Sequence, residues 1–181
     1  MGYLDCGLEI MAQIKELGLE LDYIVCASGS GGTHAGLLSG MLLHRLLKPS
    51  MERGMQTDMK IPEILGINVR AEKAAQERKI KDLIKKMIEY ARLGKDVPDK
   101  LVTCFDEYVG EGYSLPTEEM KEAVRLSARL DGILLDPVYS GKAMAGLIDL
   151  IRKGHFSQED KVLFIHTGGV PALYHYADYF L

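Results

Sequence analysis

Apolar residues follow two patterns along the 181-residue chain: stripes at helical spacing, and short unbroken runs between them. Leu4, Leu8, Met11, Ile14 and Leu17 make the first stripe, with Gly18 placed to cap it. The run Tyr23, Ile24, Val25, Cys26 predicts a buried strand. Leu37, Leu38, Met41, Leu42 and Leu46 outline a second helix that ends before Pro49, and the polar, aperiodic stretch 47–61 predicts a surface loop. Residues 62–69 read as the next strand. The clearest stripe follows: Ile80, Leu83, Ile84, Met87, Ile88 and Ala91, with charged residues on the opposite face and Gly94 closing the helix. A strand is expected over 101–105 and an irregular, glycine-punctuated loop over 106–116. Thr117 then starts a helix running to about Leu130, with Met120, Ala123, Val124 and Ser127 inward. Ile133, Leu134 and Leu135 predict a short buried strand. After it comes a helix with Met144, Leu147, Ile148 and Ile151 inward, a last strand over 162–165, and a short helical tail carrying Tyr174, Tyr176, Tyr179 and Phe180.

Strands alternating with helices imply βαβ units. The expectation is a single α/β domain over 1–181: an open, mainly parallel sheet with helices on both faces. Ligands of such sheets sit beyond the carboxyl ends of the strands. The loops 27–33, 106–116, 137–141 and 167–169 all lie at such ends.

The first of these loops has the most distinctive chemistry. A strand, a turn of small residues and a helix start offer several unpaired backbone N–H groups to an anion, and the helix dipole adds roughly half a positive charge there. Gly29, Gly31 and Gly32 allow positive φ and close backbone approach, while Ser28, Ser30 and Thr33 add hydroxyls. His34 stands where the dinucleotide fingerprint needs its third glycine, and the Gly-Lys-Ser/Thr of a P-loop is missing. A single phosphate ester fits; a tight turn with no ligand is the plain alternative.

Composition narrows the classes. Apolar residues are 47% and charged ones 27%, with a net charge of −4 and a pI near 5.7, so neither a nucleic acid nor an acidic membrane is an expected partner. No apolar run approaches the roughly 20 residues that span a bilayer, and the N-terminus has no basic stretch of a signal peptide. Cys6, Cys26 and Cys104 share no metal or disulfide spacing, so reduced, partly buried thiols of a cytoplasmic protein and no metal are expected. Ser140 and Thr167 on their own read as helix and turn caps, and His166 as a histidine bonded to backbone.

Four segments change that. ASGSGGTHAGL, DEYVGEGYSLP, LLDPVYSGKAMAGLIDLI and FIHTGGVPALYHY, in this order and spacing, resemble the D-cysteine desulfhydrase and aminocyclopropane-carboxylate deaminase family. These are pyridoxal-phosphate enzymes of the tryptophan-synthase-β fold type. The resemblance implies that Gly29, Ser30, Gly31, Gly32 and Thr33 cradle the phosphate of pyridoxal 5'-phosphate. It implies that Ser140 faces the pyridine nitrogen, that Thr167 lies beside the ring, and that Tyr113 and Tyr139 flank a small amino-acid substrate. The deaminases carry glutamate and leucine where this chain has Ser140 and Thr167, so the resemblance favours the desulfhydrase branch. That implies α,β-elimination from D-cysteine to pyruvate, ammonia and hydrogen sulfide, with aminocyclopropane-carboxylate deamination as the alternative. A homodimer is also implied.

In that family the Schiff-base lysine lies well upstream of the phosphate loop. Here 22 residues precede the feeding strand, and they hold one lysine, Lys15. The chain therefore resembles a C-terminal portion, expected to be inactive alone and to need an upstream half. Lys142, in the first turn of a helix beside the site, is a poor substitute, because a reacting lysine needs reach and a lowered pKa. A non-catalytic fragment and a nucleotide-binding regulatory domain are the competing classes.

Overall fold

A computed structural model describes residues 2–47, 60–90 and 101–180. Four parallel strands, β1 (Tyr23–Ser28), β2 (Glu63–Asn68), β3 (Thr103–Phe105) and β4 (Val162–Phe164), form one sheet in the order β3-β2-β1-β4. This is the open parallel α/β sheet expected. Helix α1 (Gly2–Glu16) lies on α2 (Gly32–Leu47), which with α3 (Lys73–Tyr90) covers one face of the sheet. Helices α4 (Glu118–Asp131) and α5 (Ser140–Arg152) lie on the other, and α6 (Ala172–His175) ends the series. The expected loop 47–61 falls almost wholly outside the described residues, as do Ala91, Gly94 and the Leu46 side chain.

β1 and β2 are buried on both faces, as a parallel sheet under two helical layers requires. Ile24, Cys26, Ile64 and Cys104 face α2 and α3; Val25, Ala27, Leu65 and Ile67 face α5. From β1 the chain winds through β2 to β3 on one side, and β4 joins β1 on the other. The winding reverses between β1 and β4, the place where open α/β sheets bind ligands.

Three expectations change. Residues 133–135 are not a strand: Leu135 is buried, but Ile133 and Leu134 are exposed and no ladder is made. The segment lies beside the end of β4, where His166 takes the Leu134 carbonyl. Its backbone bonds outside any ladder, with the Ile133 N–H donating to the Ser127 carbonyl. On α5 the inward face is Ala143, Gly146, Leu147 and Leu150, and Ile151 is exposed. The helix sits close because Gly146 has no side chain: a Cβ there would lie 2.8 Å from Ile67 Cδ1. On α1, Leu17 is exposed beyond a C-terminal turn in which Gly18 adopts φ 62°. The expected start of α4 holds, with Thr117 capping it through the Met120 N–H, and Gly132 ends it in the left-handed region.

Candidate functional site

The glycine loop closes β1 and opens α2 at the reversal point. Among the described residues the N–H groups of Ser30, Gly31, Thr33 and His34 have no protein acceptor, and that of Gly32 reaches only the Ser30 hydroxyl at 3.3 Å. No acid lies in the first turn of α2. The unpaired amides at the start of a sixteen-residue helix therefore make a positive cup. Gly31 sits at φ 82°, and a Cβ there would press on Leu83 and Ile80 at 3.2 and 3.3 Å.

The loop is braced from behind. Gln76, fully buried on α3, donates from Nε2 to Ser28 Oγ at 2.9 Å and to the Gly29 carbonyl at 3.2 Å. Lys79 Nζ stands 3.4 Å from the same carbonyl. Ser28, expected among the ligand-facing hydroxyls, is buried and held by Gln76 instead. His34 is also buried, packed over Gly66, and neither ring nitrogen has a partner among the described residues. Burial alone pulls its pKa down to about 4, so it is neutral at pH 7.

At the start of α5, Asp136 is the organising residue. Its carboxylate accepts from the N–H groups of Val138, Tyr139 and Ser140 at 2.7–2.8 Å and from Ser140 Oγ at 2.6 Å. The Asp136 N–H returns a bond to Ser140 Oγ at 2.8 Å. Both residues are 1% exposed. Ser140 thus has its hydroxyl turned into the helix cap. Gly169 packs on the same aspartate: a Cβ there would lie 2.9 Å from Asp136 Cβ. That contact ties the 167–169 turn to the 137–141 turn.

Tyr139 joins this region to the cup. A Cβ on Gly29 would lie 3.4 Å from Tyr139 Cε1 and 3.0 Å from Val69 Cγ2. The Tyr139 hydroxyl is bonded to that of Tyr113, with the rings edge to face at 5.9 Å. The Arg70 guanidinium lies 5.4 Å from the centre of the Tyr113 ring. The Tyr113 hydrogen bond, then burial, holds the Tyr139 phenol above its ordinary pKa, against an opposing pull from Arg70.

The structure thus gathers Gly29, Tyr139 and Tyr113 by direct contact, and Ser140 with the 167–169 turn through Asp136. Thr167 is half-buried. His166 accepts from Gly168 N–H at Nδ1 and donates from Nε2 to the Leu134 carbonyl, a backbone-bonded histidine as expected, though an exposed one. Gln76, Asp136 and Arg70 were missed. Only Gln76 left a trace, as an amide four residues before Ile80 on the inward stripe of α3. Among the described residues no group of three His, Cys, Asp or Glu side chains is placed to hold a metal ion, and no helix is long and apolar enough to cross a membrane.

Residues 1–168 match the family described as pyridoxal-phosphate dependent enzyme. The chain is 36% identical over 177 residues to 1-aminocyclopropane-1-carboxylate deaminase of Rhizobium rhizogenes, covering 98% of this chain and 48% of that protein. It is 38% identical over 180 residues to the deaminase of Burkholderia multivorans, covering 99% and 49%. A crystal structure described as an ACC deaminase homologue superposes with a TM-score of 0.77 at 35% identity, over 99% of this chain and 48% of the other. The chain spans about half the length of the curated relatives it matches.

Proposed function

Because the chain belongs to the pyridoxal-phosphate dependent enzymes, we propose that it carries the phosphate-binding and tyrosine-bearing part of a cytoplasmic, homodimeric lyase that eliminates the β-substituent of D-cysteine. The products are pyruvate, ammonia and hydrogen sulfide. The observation that carries the reading is the contrast between the two helix starts. Among the described residues the amides of the α2 cup have no backbone acceptor, and the first turn of α2 holds no acid, which fits a phosphate monoester dianion. The start of α5 carries a serine rather than a second carboxylate, and its own carboxylate, Asp136, is taken up by four hydrogen bonds, one of them from Ser140 Oγ.

Gly29, Ser30, Gly31, Gly32 and Thr33 would hold the phosphate, with Ser140 and Thr167 nearer the ring. When bound, the cofactor supplies an electron sink for the charge left as an amino acid loses its α-proton. A hydroxyl rather than a carboxylate near the ring nitrogen favours a weaker sink, which is sufficient when a thiolate leaves. Tyr139 Oη carries its proton at neutral pH, as an ordinary phenol does, and the Tyr113 bond and burial raise its pKa further. That proton is available to sulfur as the carbon–sulfur bond breaks, and Tyr113 orients it.

The 181 residues are inactive alone on this reading. Lys142 has no accessible surface, and its Nζ is bonded to the carbonyls of Val109 and Gly112. Deamination of aminocyclopropane carboxylate is the second reading, favoured by the names of the relatives. The test has two parts. Pyridoxal phosphate is bound by the chain, and borohydride leaves no reduced adduct on Lys142. The chain combined with an upstream, lysine-bearing half then releases sulfide from D-cysteine. Turnover of aminocyclopropane carboxylate with D-cysteine untouched would decide for the second reading, and an adduct on Lys142 would overturn the dependence on another segment.

A further inference from the structure

Lys142 lies in the first turn of α5 with none of its surface in contact with solvent. A lysine buried to that degree is rare unless paired. No carboxylate is bonded to it among the described residues. Nζ donates instead to two main-chain carbonyls, Val109 O at 2.7 Å and Gly112 O at 2.9 Å. Both belong to the loop 106–116, which has no regular structure and turns through left-handed residues Gly110 (φ 67°) and Ser114 (φ 64°).

Side chains tether that loop at several places, among them Asp106, which accepts from the Lys73 N–H. Tyr108 near its start donates to Asp149 Oδ2 at 2.6 Å, and Tyr176 of the tail donates to the Ser114 carbonyl at 2.8 Å. Between them, Lys142 is the side chain that grips the backbone, on both sides of Gly110 and next to Tyr113. A methionine would fill the same space without hydrogen bonds. The fold buries a cation there instead, in spite of the desolvation that lowers its pKa.

We propose that Lys142 is a positioning residue: by holding the carbonyls of Val109 and Gly112, it fixes where Tyr113 meets Tyr139 and so sets the geometry of the tyrosine pair. Its importance for substrate rests on the pyridoxal-phosphate reading above; the grip itself does not.

The test uses the whole chain with Lys142→Met and carbon-13 labelled tyrosines. The Tyr139 phenol titrates closer to an ordinary phenol in the variant, because the Tyr113 bond that chiefly raises it is lost. The Tyr108 phenol stays raised, because burial and Asp149 hold it independently. A merely destabilised protein moves both. The affinity for N-(5'-phosphopyridoxyl)-alanine falls by about tenfold, the scale of one ordered hydrogen bond, and that for inorganic phosphate is unchanged. An unchanged Tyr139 titration in the variant overturns the proposal. If the variant does not fold, the unmodified chain still decides: nitrogen-15 spectra of its lysines show the Lys142 ammonium protons protected from exchange, and rapid exchange with water overturns the grip. Failure of the unmodified chain to bind either phosphate compound refutes the cofactor reading, while the two tyrosine titrations continue to judge Lys142.

Discussion

Acidification tests the packing beneath the phosphate cup. His34 is fully buried in the first turn of α2, with neither nitrogen bonded among the described residues, and its pKa falls from 6.5 to about 4 through desolvation. The folded-state value is the depressed one. The stability this gives is therefore fully present above pH 6.5, begins to be lost below it as the unfolded chain takes up a proton, and is gone below about pH 4. At about 1.4 kcal/mol per tenfold change in proton affinity, the gap amounts to about 3 kcal/mol. That is a large share of the roughly 5–15 kcal/mol that holds a domain folded. Asp22, Glu122 and Asp149 also have lowered pKa values, through Lys60, Arg152 and Lys153 respectively. Those carboxylates are at the surface and titrate in a lower window, so they contribute little between pH 6.5 and 4.5. Urea unfolding followed by circular dichroism, from pH 7.5 to 4, shows the unmodified chain losing stability steeply in that window. His34→Leu removes most of the difference. Equal pH slopes for the two proteins, or a histidine resonance for His34 titrating near 6.5 in the folded chain, would refute the reasoning.

Other substitutions probe the cup and its neighbour. Gly31→Ala forces a left-handed residue and a Cβ against Leu83 and Ile80; it destabilises by about 1–2 kcal/mol and weakens phosphate binding measured by calorimetry. Gln76→Leu removes both donors that brace Ser28 and Gly29. Because it also removes the unpaired Gln76 Oε1, the melting temperature changes little while phosphate affinity drops, a split that separates bracing from bulk stability. Asp136→Ala strips three backbone N–H groups and a serine of their acceptor and destabilises by about 3 kcal/mol in urea unfolding.

What was legible in the sequence follows the range of each interaction. β1, the glycine loop and α2 are written in consecutive residues, and a continuous apolar run before small residues is enough to place them. The stripe of α3 was readable from Ile80 onward, but its start at Lys73 was not. There the Lys73 N–H is capped by the Asp106 carboxylate, 33 residues away. The bracing amide of Gln76 meets Ser28 across 48 residues, and no local pattern encodes such a partner. Residues 133–135 failed for a related reason. Apolar runs look alike whether or not a strand pairs with them, and here none does. The inward face of α5 was offset from expectation because Gly146 lets the helix approach Ile67, so the contact is set by the smallest residue on the stripe rather than by the largest. Ser140 and Thr167 could be singled out only by resemblance, since a serine at a helix start is ordinarily a cap.

The two helix starts beside the β1–β4 reversal explain how one end of a ligand is told from the other. Both α2 and α5 have the dipole to attract an anion. Asp136 has already answered that attraction at α5, filling the N–H groups of Val138, Tyr139 and Ser140 at its start with a fixed negative charge. A second anion there would face that carboxylate across a buried, low-dielectric gap and be repelled. At α2 the amides have no backbone acceptor among the described residues, no acid lies in the first turn, and Lys79 stands behind the loop. On the proposed reading a dianionic ester is then held in one orientation, phosphate toward Ser30 and the neutral part of the molecule toward Tyr139. The argument also demands that charge at Asp136 matter at a distance. Asp136→Asn, which keeps the shape of the cap but removes its charge, allows a second, weaker phosphate site to appear at α5. Calorimetry on the unmodified chain returns a single site, and two sites before the substitution would show that the aspartate does not set the direction.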